Sequence, residues 1–299
     1  MDNTNVKLPN FLIFGVQKAG TTSVYKYLKQ HPDVYLSPVK EPNFLEKDWD
    51  KLAAEGHQFK PKQIATFKQY SNLFKDVTNE TAVGEISPNY LFHHETSIEQ
   101  IKRYVPNAKL IAVLRNPVDR AISDYLMHVR EAQSNTTLKE QIEYKANKSF
   151  IILKGYYYTQ VKHYFEAFSK EQVSILLYDD LRKNDQEFMR EIYKTIGVDP
   201  DFKSDTSQKS QVAQMPKNEG INKLLVQKNP LRSLTASLLK PLLSEEKRQK
   251  LRSFLISMNS KSKVDSFNEE KQLLLDLYRD DILKLQDLIG RDLSSWLTL

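Results

Sequence analysis

The sequence predicts an α/β fold built on a central parallel sheet flanked by helices, and three observations predict it. Phe11–Val16, Lys109–Leu114 and Val173–Tyr178 are short apolar runs of the kind that form strands buried on both faces. The first two pass directly into segments whose apolar residues recur at helical spacing. The chain's 299 residues, 40% of them hydrophobic, can build one large core, so a single domain over 1–299 is expected, with a helical part over 221–299.

The first of these units, FLIFGVQKAGTTSVYKYL (Phe11–Leu28), is the most informative. Gly15 and Gly20 bracket a turn, and Val24, Tyr27 and Leu28 give the following helix its apolar face, with Thr21 or Thr22 as its expected cap. A helix opening at such a turn aims unpaired N–H groups and its positive dipole end at one spot, where Lys18 adds a full charge. That spot is expected to hold a phosphate or sulfate. A Walker loop would place its lysine after the second glycine, whereas Lys18 precedes Gly20.

The bulk properties exclude several classes. Lys plus Arg is 44 against 38 Asp plus Glu, a net charge of +6, and the basic residues are interleaved with acids rather than gathered in a stripe. A dedicated nucleic-acid binder is therefore not expected. The absence of cysteine removes disulfides and thiolate metal sites. The start MDNTNVKLPN lacks an apolar signal region and no later apolar run is long enough for a membrane span, so a cytoplasmic protein is the expectation.

Further candidates follow in chain order. Pro32, Pro38 and Pro42 impose an extended path on the segment carrying Lys40 and Glu41, which composition alone reads as a surface ion pair. The stretch 48–76 reads as a partly helical cover. In TAVGEISPNYL, Glu85 stands where the chain leaves a short strand, a candidate general base beside the alternative of a turn cap or ion-pair partner. His93 and His94 have no third ligand at useful spacing. Arg115 closes the strand KLIAVL, and Pro117 opens a helix that carries Ser123; an arginine and a serine so placed can grip a second phosphate. Tyr157, Val161, Tyr164, Phe165 and Phe168 recur at helical spacing and read as core.

Four of these segments carry a family resemblance. K-A-G-T-T after an apolar strand resembles the 5′-phosphosulfate loop of sulfotransferases that use 3′-phosphoadenosine 5′-phosphosulfate (PAPS), and LRNPVDRAISDY resembles their 3′-phosphate-binding strand, turn and helix. K-E-P-x-F and E-I-S-P-N-Y resemble the bacterial and heparan sulfate-like branch of N- and 3-O-sulfotransferases. The resemblance implies a P-loop-like three-layer fold. It implies Glu85 as base and Lys18 as charge stabiliser, with Lys18, Ala19, Gly20, Thr21 and Thr22 on the 5′-phosphosulfate. Arg115 and Ser123 are implied on the 3′-phosphate, and Lys217 or Lys209 on a closing loop that this cysteine-free chain cannot staple with a disulfide. Tyr156 and Tyr158 are implied as adenine neighbours. The product would be PAP (3′,5′-ADP), without a metal, and the acceptor a glycan, glycolipid or small-molecule alcohol, with Lys40 as an acceptor contact. Leu224, Leu225, Leu234, Leu238 and Leu239, accompanied by Lys223, Lys228, Arg232 and Lys240, leave a peripheral membrane contact open. A non-catalytic PAP or glycan-binding module and a P-loop kinase remain as alternatives.

Overall fold

The computed structural model describes residues 7–131, 133–134, 136–207, 215–216, 260–261 and 267–299. Five parallel strands, β1 (Phe11–Gly15), β2 (Val34–Leu36), β3 (Ala82–Ile86), β4 (Lys109–Leu114) and β5 (Val173–Leu177), form one sheet in the order β2-β3-β1-β4-β5. Between and after them come helices α1 (Thr21–Leu28), α2 (Trp49–Ala54), α3 (Phe67–Ser71), α4 (His94–Tyr104), α5 (Pro117–Arg130), α6 (Leu138–Lys145), α7 (Phe150–Leu153), α8 (Tyr157–Ala167), α9 (Tyr178–Lys183) and α10 (Asp185–Ile196). The long helix α11 spans Asn268–Ile289.

The sheet has the central parallel form the apolar runs predict. In β1 every residue is buried, and in β4 all but Lys109. The edge strand β5 is buried only at its ends, Val173 and Leu177, although its sequence is as apolar as the others; an edge has a neighbour on one side only. Phe11 aligns with Gly84 of β3 on one side and Lys109 of β4 on the other. Gly84 is required there: a Cβ would come within 2.3 Å of the Phe11 ring. α10 ends at Gly197 in the left-handed region, φ 77°, the helix stop expected from the sequence. Tyr157, Val161, Tyr164 and Phe168 of the aromatic stripe are core, whereas Phe165 is half-buried.

The chain divides into two compact units. The first, Met1–Asn116, Tyr156–Ser210 and Asp280–Ser295, carries the five-stranded sheet. Within it Asp281 accepts from the backbone N–H groups of Tyr157 (2.8 Å) and Tyr158 (3.2 Å), capping α8 from a distant part of the chain. Burial outweighs those bonds and pushes the Asp281 carboxyl up to about 6. The second unit takes in Pro117–Gly155, Gln211–Arg279 and Trp296–Leu299. There the fully buried Arg120 pairs with Asp124 at 3.0 Å and donates to the Ile151 carbonyl. A two-residue strand, Met215–Pro216, pairs antiparallel with Ser260–Lys261 in the same unit. Lys209, Lys217 and the leucine and lysine face of 223–240 lie outside the described residues. Among the described residues, no helix is long and apolar enough to cross a membrane.

Candidate active site

β1, β3 and β4 are neighbours, and the chain leaves β1 toward one and β4 toward the other side, so their carboxyl ends flank a topological switch point, the place where open parallel sheets bind ligands. The turn after β1 is built from two left-handed residues, Lys18 (φ 72°) and Gly20 (φ 80°). For lysine this conformation costs energy and persists only where the surroundings enforce it. Val16 holds the start of the turn by donating to the Val113 carbonyl at 2.9 Å, and Arg115, at the end of β4, donates through Nη1 to the Lys18 carbonyl at 2.9 Å. The Arg115 guanidinium lies 5.0 Å from the centre of the Tyr178 ring. The structure thus brings Lys18 and Arg115, read from segments far apart in the sequence, to one place.

The cap of α1 differs from the expectation. Gly20, rather than Thr21 or Thr22, is the N-cap, because the turn needs a positive φ and close packing at that position. A Cβ on Gly20 would stand 2.8 Å from Leu181 Cδ2 and 2.9 Å from Tyr178 Cε2. A glycine cap has no side chain to occupy the helix's first N–H groups. Thr21 is buried, Thr22 exposed, and the first turn of α1 carries no acidic side chain. Left-handed backbone, a helix start capped by a glycine that is packed against Leu181 and Tyr178, two threonines, one lysine and one arginine form a donor set that suits a phosphate or sulfate.

Glu85, near the carboxyl end of β3, lies in a different environment. It has no exposed surface. Its Oε1 accepts from the hydroxyls of Tyr70 (2.7 Å) and Tyr90 (2.9 Å), and its Oε2 accepts from Ser87 Oγ (2.6 Å). Burial raises its pKa to about 6, against the lowering effect of the three hydroxyls. Sequence reading identified Glu85 but not Tyr70, which sits on α3 in the segment read only as a cover.

The segment after β2 lies against the end of β3. Ser37 donates to the Gly84 carbonyl at 2.9 Å, Glu41 to the Ile86 carbonyl at 3.1 Å, and Asn43 to Ser87 Oγ at 3.2 Å. Glu41 (φ 59°) and Asn43 (φ 53°) are both left-handed. Lys40 and Glu41 form the expected ion pair, with side chains 26% and 30% exposed. Glu41 is therefore an accessible carboxylate on strained backbone at the strand end. Asn43 is a residue type that tolerates this conformation, whereas Glu41 was read only as a surface ion-pair partner and as part of K-E-P-x-F.

The remaining candidates are placed as follows. Ser123 is on α5 in the second unit, 9% exposed. Tyr156 is the N-cap of α8 and Tyr158 lies in its first turn. His93 Nε2 is 3.4 Å from Glu46 Oε1, and His94 stacks on His163 with ring centres 4.6 Å apart. Among the described residues, no group of three or more His, Asp or Glu side chains could hold a metal ion.

A glycine-capped turn after the first strand of a parallel sheet, with an arginine from the neighbouring strand donating to it, is set in an α/β fold of parallel strands flanked by helices. Residues 9–202 match the model of the sulfotransferase family, and the chain belongs to that family, whose members draw on PAPS. It is 28% identical to the mouse bifunctional heparan sulfate N-deacetylase/N-sulfotransferase 4 over 65% of this chain and 23% of that protein. It is 26% identical to mouse carbohydrate sulfotransferase 15 over 64% of this chain and 44% of that protein. The chain thus spans less than half the length of these curated relatives. The crystal structure of a sulfotransferase from Alicyclobacillus acidocaldarius superposes with a TM-score of 0.67 at 27% identity, covering 98% of this chain and 100% of that one.

Proposed function

We propose that this chain moves the sulfuryl group of PAPS to a hydroxyl or amine of an acceptor, with a carbohydrate as the acceptor class. The observation that carries the reading is the joined pair of Lys18 and Arg115 at the glycine-capped turn. PAPS supplies an activated sulfuryl group on a phosphate leaving group. Lys18, Ala19, Gly20, Thr21 and Thr22 would hold its 5′ end, the backbone N–H groups orienting the anion and the Lys18 ammonium stabilising negative charge on the departing phosphate. Arg115 would hold the 3′-phosphate, with Ser123 on the helix that follows it in sequence and Lys217 as its expected closing residue. A P-loop kinase is disfavoured by the lysine standing before Gly20. The carbohydrate class rests on the activities that the relatives are named for, and Lys40 would meet an acidic acceptor. A glycolipid or small-molecule alcohol is the second choice.

The base role divides between two carboxylates. A general base must come within hydrogen-bond reach of the proton it removes. Glu85 is enclosed and already accepts three hydroxyl protons, whereas Glu41 reaches solvent at the end of the same strand. We therefore assign the acceptor's proton to the Glu41 carboxylate and a supporting role to Glu85, against the first expectation for Glu85. The test is single-turnover transfer of labelled sulfuryl from PAPS to N-desulfated heparan, alongside thermal stabilisation by PAP with ATP as control. Stabilisation by PAP alone, with Glu41→Gln slowing transfer about a hundredfold or more, is the expected result. No stabilisation by saturating PAP would overturn the activity. Full transfer by Glu41→Gln would overturn the base.

A further inference from the structure

We infer that Glu85 is a positioning residue: its buried carboxylate holds the 41–45 segment in place through two hydroxyl relays. In one, the Asn43 N–H donates to Ser87 Oγ (3.2 Å), and the Ser87 hydroxyl donates to Glu85 Oε2 (2.6 Å). In the other, the Leu45 N–H donates to Tyr90 Oη (3.1 Å), and the Tyr90 hydroxyl donates to Glu85 Oε1 (2.9 Å). Each hydroxyl has a single proton, so a hydroxyl that gives it to the carboxylate must present a lone pair to the backbone amide. The acid thereby fixes the direction of both relays. Tyr70, the third donor, also stacks on Phe44 with ring centres 4.5 Å apart, so the same group braces the segment through its side chains.

The segment needs such bracing. Glu41 and Asn43 are left-handed non-glycine residues, a conformation that relaxes unless it is over-determined. Pro42 between them has no N–H to contribute. Residues 44–46 form a single 3₁₀ turn, too short to hold itself, and the Leu45 N–H, at its start, finds its partner outside the turn, in Tyr90 Oη. The relays thus fix Asn43, at the far end of the strained stretch, and Leu45 just beyond it, while Glu41, at its start, donates to the Ile86 carbonyl of the strand that carries Glu85. The groups facing Glu85 are hydroxyls, Tyr70 from α3, Tyr90 from the turn 88–90 and Ser87 beyond β3; no charged side chain contributes to its pKa.

The catalytic consequence rests on the reading of Glu41 as the base; the relay geometry does not. Amide hydrogen exchange and turnover, measured on the whole chain, separate the two. Ser87→Ala is expected to speed exchange at Asn43 about five- to tenfold, the effect of one lost hydrogen bond, and to leave Leu45 unchanged. Tyr90→Phe should do the reverse. Glu85→Gln, whose carboxamide must turn an N–H toward one hydroxyl, should release at least one of the two amides. In all three, kcat should fall with the KM for PAPS unchanged, and Ser87→Thr should restore the Ser87→Ala loss. Wild-type exchange at Asn43 and Leu45 in Glu85→Gln overturns the proposal. Should that variant not fold, wild-type exchange in both Ser87→Ala and Tyr90→Phe overturns it equally. If Glu41→Gln keeps full turnover while the exchange pattern appears as stated, the base assignment fails and the relay stands.

Discussion

The turns after β1 and β3 sit at the ends of neighbouring strands and treat their polar groups in opposite ways. After β1 the chain spends a glycine on the helix cap, holds a lysine in the left-handed region, and gathers N–H, hydroxyl and cationic donors with no acid in the first turn of α1. After β3 it buries an acid completely and saturates both oxygens with hydroxyls from its own fold. One turn gathers donors and carries no acid in its helix's first turn, the other is organised around a resident carboxyl group. The difference is the ground on which we propose a binding role for the first and a positioning role for Glu85, since residue type alone does not separate the two.

Variants of each turn can break or sharpen that contrast. The largest effect is expected from Lys18→Ala: loss of transition-state charge stabilisation should slow sulfuryl transfer about a hundredfold or more with little change in Tm. A comparable loss of Tm would make Lys18 a structural residue and erase the contrast. Next, Gly20→Ala meets both a positive φ and contacts of 2.8–2.9 Å with Leu181 and Tyr178. Calorimetry should show PAP binding weakened about tenfold or more and stability reduced by about 1–3 kcal/mol. Unchanged binding would mean the cradle tolerates rearrangement.

Titration supplies the third. Folding raises the Glu85 pKa from 4.5 to about 6, so the folded state binds this proton more tightly than the unfolded chain. Its contribution to stability is present below pH 4.5 and is lost as pH rises through 6, about 2 kcal/mol in all. Denaturant titrations across that window should show the slope in the wild type and a flatter profile in Glu85→Gln. Turnover should move the other way, rising as Glu85 ionises and both relays take their direction. Parallel profiles would show that the carboxylate acts only through global stability. The smallest effect is that of Lys40→Ala: its part-exposed pair with Glu41 is worth on the order of 0–1 kcal/mol, so Tm should hardly change while the KM for an acidic glycan rises about threefold. An unchanged KM would remove Lys40 from the acceptor site.

The strand, turn and helix after Phe11 were legible in the sequence because their parts are contiguous: an apolar strand, two glycines, a lysine and a helix face fall within Phe11–Leu28. Arg115 was legible for the same reason, standing directly after KLIAVL. The cap was misread because Thr21 is a better capping residue than glycine in isolation, and only the packing of Leu181 and Tyr178 shows why glycine is needed. Glu41 and Tyr70 were hidden for different reasons. Beside Lys40, Glu41 has the composition of an ordinary surface pair, and its left-handed backbone leaves no trace in residue type. Tyr70 meets Glu85 only because α3 folds over the end of β3, a contact that no periodicity encodes.

β1 is the middle strand of its sheet, and both of its partners come late. Phe11 is paired with Gly84 on one side and Lys109 on the other, with no hairpin to supply a local neighbour. The segment 11–15 can pair on one side only once β3 has been made and on the other only once β4 has, and such non-local pairing is slow and exposed to aggregation. The turn after β1 therefore reaches its final setting only when Val113 and Arg115 have joined it. A nascent chain stalled before β4 would carry that turn in its sequence without the strand and the arginine that hold it.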